Sequence, residues 1–441
     1  MKYIYGLNKS GQSIIDYLDS INENYYCWDD DVGIRKKVKN FNKTIRLADP
    51  LNLNLTLINE CFLTPGISLN DKKIDILKKN NINIFRDLEL YSRLTKDKKI
   101  IAITGTNGKS TTTKLISDVF RLNNIKNFTG GNIGLPLLDF KKMKNKIKFH
   151  VIELSSFQLE SFISFNPFIS ILLNIYPDHL DRYKNFDEYA LQKERIINFN
   201  KDGFNIVSID DLKTRNIYNK NKDKIIPISN KFIKKGIFFQ DSCIIDNYFA
   251  NNDIINIPSV SSSLFGSFNF QNILAAYTVV KILALDVKNF IEIIKNFKGL
   301  PHRLEKIFEN KFFQVINNSK ATNIEASIKS IINYENVYLI LGGRKKENDF
   351  SKILNYKKKI NKIYLIGESA ISISNQLKNE IRCEICNTLE IAVKKYFLDI
   401  KQVDRFHTLL FAPACTSFDQ FKNYEDRGDQ FRTLITKITN E

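Results

Sequence analysis

The sequence predicts an α/β protein with mostly parallel sheets, divided into three domains. Strand-like apolar runs alternate with helix-period patterns along the whole chain, which is the signature of strand–helix–strand units. The clearest runs are Lys2–Tyr5, Ile100–Thr104, His150–Leu154, Val337–Leu341, Ile363–Ile366 and Thr408–Phe411. The length, 441 residues, suits three domains at about 150 residues each. Glycine (17) and proline (9) are scarce, so the few that occur punctuate the chain. Gly299-Leu300-Pro301 and the polar Asp97-Lys98-Lys99 set the expected blocks at residues 1–93, 94–299 and 300–441.

Composition removes several classes. Hydrophobic residues at 43% and charged residues at 26% belong to a globular chain, not to a collagen or a disordered one. The formal net charge is +18, but the lysines are spread along the chain. The excess therefore reads as a compositional bias that attracts small anions rather than as a nucleic-acid site. Cys27, Cys61, Cys243, Cys383, Cys386 and Cys415 are sparse. The single C-x-x-C at 383–386 lacks the second pair a zinc ribbon needs, so reduced thiols in a cytoplasmic protein are expected. The longest apolar stretch, Phe162 to Tyr176, is broken by Ser164, Asn166, Pro167 and Asn174. It falls short of the roughly 20 residues of a spanning helix, and the N-terminus opens on a strand without a leader-like apolar region.

The first block begins strand, turn, helix, with Gly6-Leu7-Asn8-Lys9-Ser10-Gly11 followed by Ile14, Ile15 and Leu18 at helical spacing. The turn resembles a dinucleotide fingerprint with Asn8 in place of the second glycine. Asp29-Asp30-Asp31 lies where a ribose-binding acid would sit. A plain strand-to-helix turn accounts for the pattern equally well.

The second block holds the sharpest motif. The strand Lys99–Thr104 runs into Gly105-Thr106-Asn107-Gly108-Lys109-Ser110-Thr111, and Leu115, Ile116, Val119 and Phe120 then make a helical apolar stripe. Strand, glycine loop, Lys-Ser and helix are the context of a nucleoside triphosphate site. Backbone N–H groups of the loop and helix start face phosphate oxygens, Lys109 supplies a point charge, and Ser110 can ligate Mg²⁺. The loop is a shortened G-x-x-G-K-S-T, because Ile103 stands where a full Walker A loop has its first glycine.

Phe149–Leu154 reads as a buried strand carrying Glu153 at its end, and an acid there suits Mg²⁺. His179, in Pro177-Asp178-His179-Leu180-Asp181-Arg182, follows another strand at the sheet edge where ligands bind. Asn185-Phe186-Asp187-Glu188 then predicts a capped helix start. Phe186, Tyr189, Ile196 and Ile197 share one face of that helix, with Lys193 in their midst. A buried lone ammonium is costly, so Lys193 reaches a partner, snorkels out or loses its charge. Carbamylation by CO₂ would instead offer a carboxylate to a cation.

Taken in order, Gly105–Thr111, Gly131-Asn132-Ile133-Gly134-Leu135-Pro136, Glu153–Gln158, Asp178–Arg182, Asn269–Asn272 and Leu300-Pro301-His302-Arg303 resemble the motifs of the Mur ligases. These are ATP-dependent amino-acid ligases of peptidoglycan precursor synthesis. Asn317–Asn323, Pro413–Phe421 and Lys422–Gly428 resemble the branch that adds D-glutamate to UDP-N-acetylmuramoyl-L-alanine. The resemblance implies an N-terminal Rossmann-like UDP-binding domain, a central P-loop ATPase domain and a C-terminal Rossmann-like domain. It implies a carbamylated Lys193, with Ser110, Glu153 and His179 as further Mg²⁺ positions, and Lys109, Glu153, His179, Lys193 and Arg303 as the catalytic set. ATP would meet Gly105 to Thr111, Asn269, Asn272, Arg303, Asn318 and Lys320. Arg303 and Lys320 would arrive as the C-terminal domain closes. Ser10, Gly11, Asp29, Thr64, Pro65, Gly66, Asn132 and His179 match the UDP-sugar site. Thr322, Lys346, Ser417 and Tyr424 match positions around D-glutamate. A monomer without nucleic acid or membrane insertion is implied. The chain departs from the family at Asn318, usually aspartate, and at Phe268, usually histidine.

Overall fold

Three sheets carry the chain. In the computed structural model all residues are described except 43–44, 144–146, 180–181, 251, 265, 267–268, 346–347, 401–402, 404 and 441. The first sheet contains β1 (Lys2–Tyr5), β2 (Tyr25–Trp28), β3 (Glu60–Leu63) and β4 (Asn83–Arg86), all parallel, in the order β2-β1-β3-β4. Helices α1 (Lys9–Ser20), α2 (Val32–Phe41), α3 (Lys72–Lys79) and α4 (Asp87–Leu94) accompany it. Asp31 and Asp71 cap α2 and α3 by accepting from Gly33 N and Lys73 N, which satisfies helix-start donors that have no partner within the helix.

The second sheet has nine strands, in the order β13-β12-β11-β10-β9-β8-β5-β7-β6. These are β5 (Lys99–Thr104), β6 (Asn127–Gly131), β7 (Phe149–Glu153), β8 (Ile169–Leu172), β9 (Phe204–Ser208), β10 (Ile225–Ser229), β11 (Ile237–Gln240), β12 (Cys243–Asp246) and β13 (Asp253–Asn256). Strands β5 to β11 run parallel; β12 and β13 are antiparallel additions. The turn Asp241-Ser242 that starts the antiparallel part has φ of 49° and 59° at its two residues, the left-handed pair that a two-residue hairpin of this twist requires. Helices α5 (Lys109–Leu122), α6 (Phe186–Asn198), α7 (Leu212–Lys220), α8 (Phe270–Ile282) and α9 (Val287–Asn296) belong to this region. Helix α6 starts as its sequence predicts, with Asn185 accepting from Glu188 N at 2.9 Å and Glu188 accepting from Lys184 N at 2.7 Å.

The third sheet contains β14 (Glu305–Glu309), β15 (Phe313–Asn317), β16 (Val337–Gly342), β17 (Ile360–Ile366), β18 (Cys383–Asn387) and β19 (His407–Phe411), in the order β14-β15-β19-β16-β17-β18. Only β14 is antiparallel to its neighbour. Helices α10 (Ile324–Ile331), α11 (Ala370–Leu377), α12 (Leu389–Asp399) and α13 (Tyr424–Asn440) complete the set.

Contacts gather Met1–Ser259 with Ser267–Lys295 into one compact unit, and Val260–Gly266 with Asn296–Glu441 into another. In the first unit one continuous apolar core runs from Ile4, Ile14 and Phe62 through Leu88 and Tyr91 to Phe128, Leu138 and Ile152, and a second around Tyr3, Leu63 and Ile74 covers the other face of the first sheet. The four-stranded and nine-stranded sheets are therefore joined by buried side chains of α4. In the second unit, separate cores cover the two faces of the six-stranded sheet, one around Leu339, Ile363 and Leu410, the other around Ile340, Tyr396 and Phe411. All six cysteines are free thiols. Among the described residues no helix is long and apolar enough to cross a membrane.

Candidate active site

The carboxyl edge of the second sheet gathers three functional loops, because β5 lies between β7 and β8 and all three run the same way. Such an edge is where open parallel sheets bind ligands. The loop after β5 turns directly into α5, so the unsatisfied N–H groups of that helix start face the loop. Gly108 makes the turn possible: its φ is 85°, and a Cβ there would lie 2.2 Å from Asn272 Oδ1. Asn272 Oδ1 accepts from Thr112 Oγ1 at 3.1 Å and its Nδ2 donates to Asn269 Oδ1 at 2.8 Å, so both asparagines of the α8 start stand against α5. Thr111 lies in the first turn of α5.

Two lysines meet on one loop carbonyl. Lys109 Nζ donates to Gly105 O and Thr106 O, each at 2.9 Å, and Lys193 Nζ donates to the same Gly105 O at 2.9 Å. Lys193 is buried within the apolar face of α6, with its ammonium 4.9 Å from the centre of the Tyr189 ring. Burial drives its pKa well below the usual lysine range and the neighbouring Lys109 charge pushes the same way, while Asp178 and Glu153 oppose the shift. Of the options the sequence leaves open, the side chain takes a partner, and burial favours its neutral form; it does not snorkel.

Glu153 ends β7 with 1% of its surface exposed. Its Oε2 accepts from Ser110 Oγ at 2.6 Å and its Oε1 from Asn132 Nδ2 at 2.7 Å. A buried carboxylate beside a phosphate-loop hydroxyl is a hard-oxygen pair of the kind Mg²⁺ takes while its other positions go to phosphate and water. Among the described residues no group of three or more His, Cys, Asp or Glu is placed to hold a metal. His179 stands in a left-handed conformation, φ 53°. Its ring meets the edge of Phe157 at 4.8 Å between centres, and its Nε2 is 3.6 Å from Asp178 Oδ2.

Several residues of this site escape the sequence reading. Asn174 clamps the loop by accepting from Asn107 N at 2.8 Å and donating to Asn107 O at 3.1 Å, and it passes a third bond to Gln271. Thr106 Oγ1 meets Tyr189 OH at 3.0 Å. Asn174 carries a signal, being a polar residue just past a buried strand on the ligand edge; Gln271 and Tyr189 carry none beyond helical spacing.

At the first sheet the turns after β1, β2 and β3 lie side by side, since Tyr5 is in register with both Trp28 and Leu63. Asp29 is buried and its carboxylate accepts from Leu7 N at 2.7 Å and Asp31 N at 3.0 Å, so it pins the turn as well as lining it. Ser10 and Gly11 open α1, and a Cβ on Gly11 would meet Gly6 O at 1.9 Å. Thr64 Oγ1 donates to Tyr5 O at 3.4 Å, which places Thr64, Pro65 and Gly66 beside the same edge.

In the second unit the exits of β15, β19 and β16 adjoin, and Arg344 and Thr416 exchange backbone bonds of 3.0 Å. Arg427, fully buried, joins two of these loops by donating to Ser319 O at 2.7 Å and to Cys415 O at 3.1 Å. Ser417 is buried and Thr322 half-buried on these loops, and the Lys320 ammonium lies 3.9 Å over the Tyr424 ring. Asn318 turns into the domain and donates to Ser330 Oγ at 2.7 Å. Arg303 follows the buried His302 in the turn that begins at Leu300. Lys346 and Phe268 lie outside the described residues.

Comparison with known proteins bears on the family and the fold. The Mur ligase middle domain family model matches residues 103–280. The UDP-N-acetylmuramoylalanine–D-glutamate ligase of Rickettsia bellii is 37% identical over 446 residues, covering 99% of this chain and 97% of its own. That of Natranaerobius thermophilus is 32% identical over 460 residues, covering 99% and 98%. Among solved structures, the UDP-N-acetylmuramate–alanine ligase MurC of Thermotoga maritima superposes with a TM-score of 0.61 at 16% identity over 99% of both chains. The MurF ligase of Thermotoga maritima, in complex with ADP, gives 0.58 at 15% identity over 86% of this chain and 90% of its own. These two share the three-domain α/β fold. The chain belongs to the Mur ligase family, among its UDP-N-acetylmuramoylalanine–D-glutamate ligases.

Proposed function

We propose that this enzyme joins D-glutamate to UDP-N-acetylmuramoyl-L-alanine in the cytoplasm, as a monomer, with hydrolysis of ATP to ADP and phosphate. Residues 1–93 take the UDP-sugar, 94–299 the ATP and 300–441 the amino acid. The observation that carries the reading is the Glu153–Ser110 pair at the mouth of a phosphate loop, in a chain similar over its full length to D-glutamate-adding ligases.

Amide formation from a carboxylate needs a better leaving group than hydroxide. The L-alanine carboxylate attacks the γ-phosphoryl group, ADP departs, and an acyl phosphate remains. The amine of D-glutamate then attacks the acyl carbon, and inorganic phosphate leaves as the amide forms. The first step brings two anions together, so the chain must supply positive charge. Lys109 moves from the Gly105 and Thr106 carbonyls onto phosphate oxygens, and Arg303 adds a second cation. Ser110, Glu153, His179 and a carbamylated Lys193 would hold Mg²⁺, which when bound screens the phosphate charge. Carbamylation suits Lys193 because a neutral buried amine is the form that adds CO₂. Asn269, Asn272, Asn318 and Lys320 bind the nucleotide. Ser10, Gly11, Asp29, Thr64, Pro65, Gly66 and Asn132 bind the UDP-sugar. Thr322, Lys346, Ser417 and Tyr424 receive D-glutamate, with Lys346 paired to a carboxylate.

The test is phosphate release from ATP and Mg²⁺ with UDP-N-acetylmuramoyl-L-alanine, offering D-glutamate, L-glutamate, L-lysine and diaminopimelate in turn, with product mass checked. Turnover confined to D-glutamate is the expected result. A folded, ATP-binding protein that turns over with none of them overturns the reading.

A further inference from the structure

A cluster of charge outside the chemistry above links the Thr64 turn to the His179 loop. Arg86, fully buried, ends β4. Its Nη1 donates to Thr64 O at 2.8 Å and Ile67 O at 2.9 Å. Arg182 adds Nη1 to Pro65 O at 2.7 Å and Nη2 to Ile67 O at 2.9 Å. Both guanidinium groups also bond one carboxylate oxygen, Glu160 Oε2, Arg182 at 3.2 Å. Tyr183 OH takes the other oxygen, Oε1, at 2.9 Å. One carboxylate between two guanidinium groups leaves a positive charge uncompensated in a nearly closed place. The turn carbonyls are the dipoles that compensate it, which fastens the turn to the pair.

The far end of Arg182 reaches His179. Its backbone N–H and that of Tyr183 donate to His179 O at 3.0 and 3.2 Å. Its guanidinium stacks 3.8 Å above the Phe157 ring, and Phe157 meets His179 edge-on. His179 holds a positive φ, which non-glycine residues keep only with support from their surroundings.

We propose that Arg182, with Arg86 and Glu160, is a positioning residue that couples occupancy of the Thr64–Ile67 turn by the uridine diphosphate moiety to the placement of His179. The proposal rests on the reading of Thr64–Gly66 as part of the UDP-sugar site. Its consequence is that binding the nucleotide-sugar handle aligns the reacting end some distance away, so that binding energy at a remote group is realised as rate. The role needs a planar fork that bonds two carbonyls and stacks at once, which lysine cannot supply.

Hydrogen exchange on the full-length protein with UDP alone is the decisive experiment, because UDP fills the handle site but lacks the reacting carboxylate. In the wild type, UDP slows exchange in both Phe62–Ile67 and Ile175–His179. In Arg182→Met it slows only the first. No protection of the first segment in the wild type overturns the assignment of the UDP site itself. Protection of the first without the second in the wild type, or of both in Arg182→Met, overturns the coupling alone. The wild-type arm stands even if a variant misfolds. In steady state, Arg182→Met and Arg182→Lys both raise KM for UDP-N-acetylmuramoyl-L-alanine and lower kcat, each about tenfold, while KM for ATP changes less than about twofold. Full recovery by Arg182→Lys, or a parallel rise in the ATP KM, overturns the positioning role.

Discussion

Replacing Lys193 by methionine separates what this residue does for activity from what it costs the fold. The two side chains are close in length and the apolar stems fill similar space, so the difference lies at the amine. Lys193 Nζ makes one hydrogen bond, to Gly105 O, worth about 1 kcal/mol, and that carbonyl keeps Lys109 as a donor. Against this stands the depressed pKa, caused first by burial and then by Lys109. Each unit of depression costs the folded state about 1.4 kcal/mol wherever the unfolded lysine is protonated. Burying the amine costs more than one hydrogen bond returns, so Lys193→Met stabilises the metal-free protein, by on the order of 1 kcal/mol or about 2 °C in Tm. The sign with pH follows. Between the lowered folded pKa and the unfolded one, the unfolded chain binds a proton that the folded chain does not, so wild-type stability rises with pH until the unfolded lysine titrates near pH 10.4. The advantage of methionine therefore narrows between pH 7 and pH 9.5. Urea unfolding with a chelator and without bicarbonate measures this, and a ligation assay on the same samples shows activity lost. A variant less stable than wild type at pH 7, or an advantage that does not narrow, refutes the reasoning.

Glu153→Gln keeps the shape and an acceptor for Ser110 but removes the charge, so Mg²⁺-dependent ADP formation falls by about 10²-fold or more while Tm stays within a few degrees. Gly108→Ala forces a Cβ to within 2.2 Å of Asn272 Oδ1 at φ 85°. Either Asn272 gives up Thr112 or the loop moves, and ATP affinity measured by calorimetry drops by about tenfold. His150 is fully buried with its Nδ1 at 2.7 Å from Tyr91 OH, and burial lowers its pKa to about 4. The unfolded chain binds the extra proton between its own value of 6.5 and this one, so stability falls as pH drops through that window, by about 3 kcal/mol. Urea unfolding across pH 4 to 7 checks it, and His150→Gln, which preserves an acceptor for Tyr91, flattens that slope.

The sequence by itself determined the layers, the phosphate loop and the identity of most charged groups around it. Period-two and period-3.6 patterns are local, so β5, α5 and the face of α6 are written in consecutive residues, and the Asn185 cap falls where a short polar side chain precedes an apolar stripe. The hairpin extension β11–β13 was not legible, because its turn is Asp241-Ser242 without the glycine that marks such turns. Tertiary structure alone decided which distant groups meet. Lys193 and Lys109 share one carbonyl although 84 positions separate them in sequence (193 − 109), and burial first, then the Lys109 charge, lowers the proton affinity of Lys193. Asp29, which the sequence offers as a ribose acid, accepts from Leu7 N and Asp31 N, and Asn318, which the resemblance offers as a nucleotide contact, donates to Ser330 Oγ. Arg86, at the end of β4, and Arg182, beyond β8, converge on Glu160 although 96 positions separate them (182 − 86). No spacing rule announces such meetings: a side chain's chemistry is local, whereas its burial, partners and proton affinity depend on which strands lie next to one another.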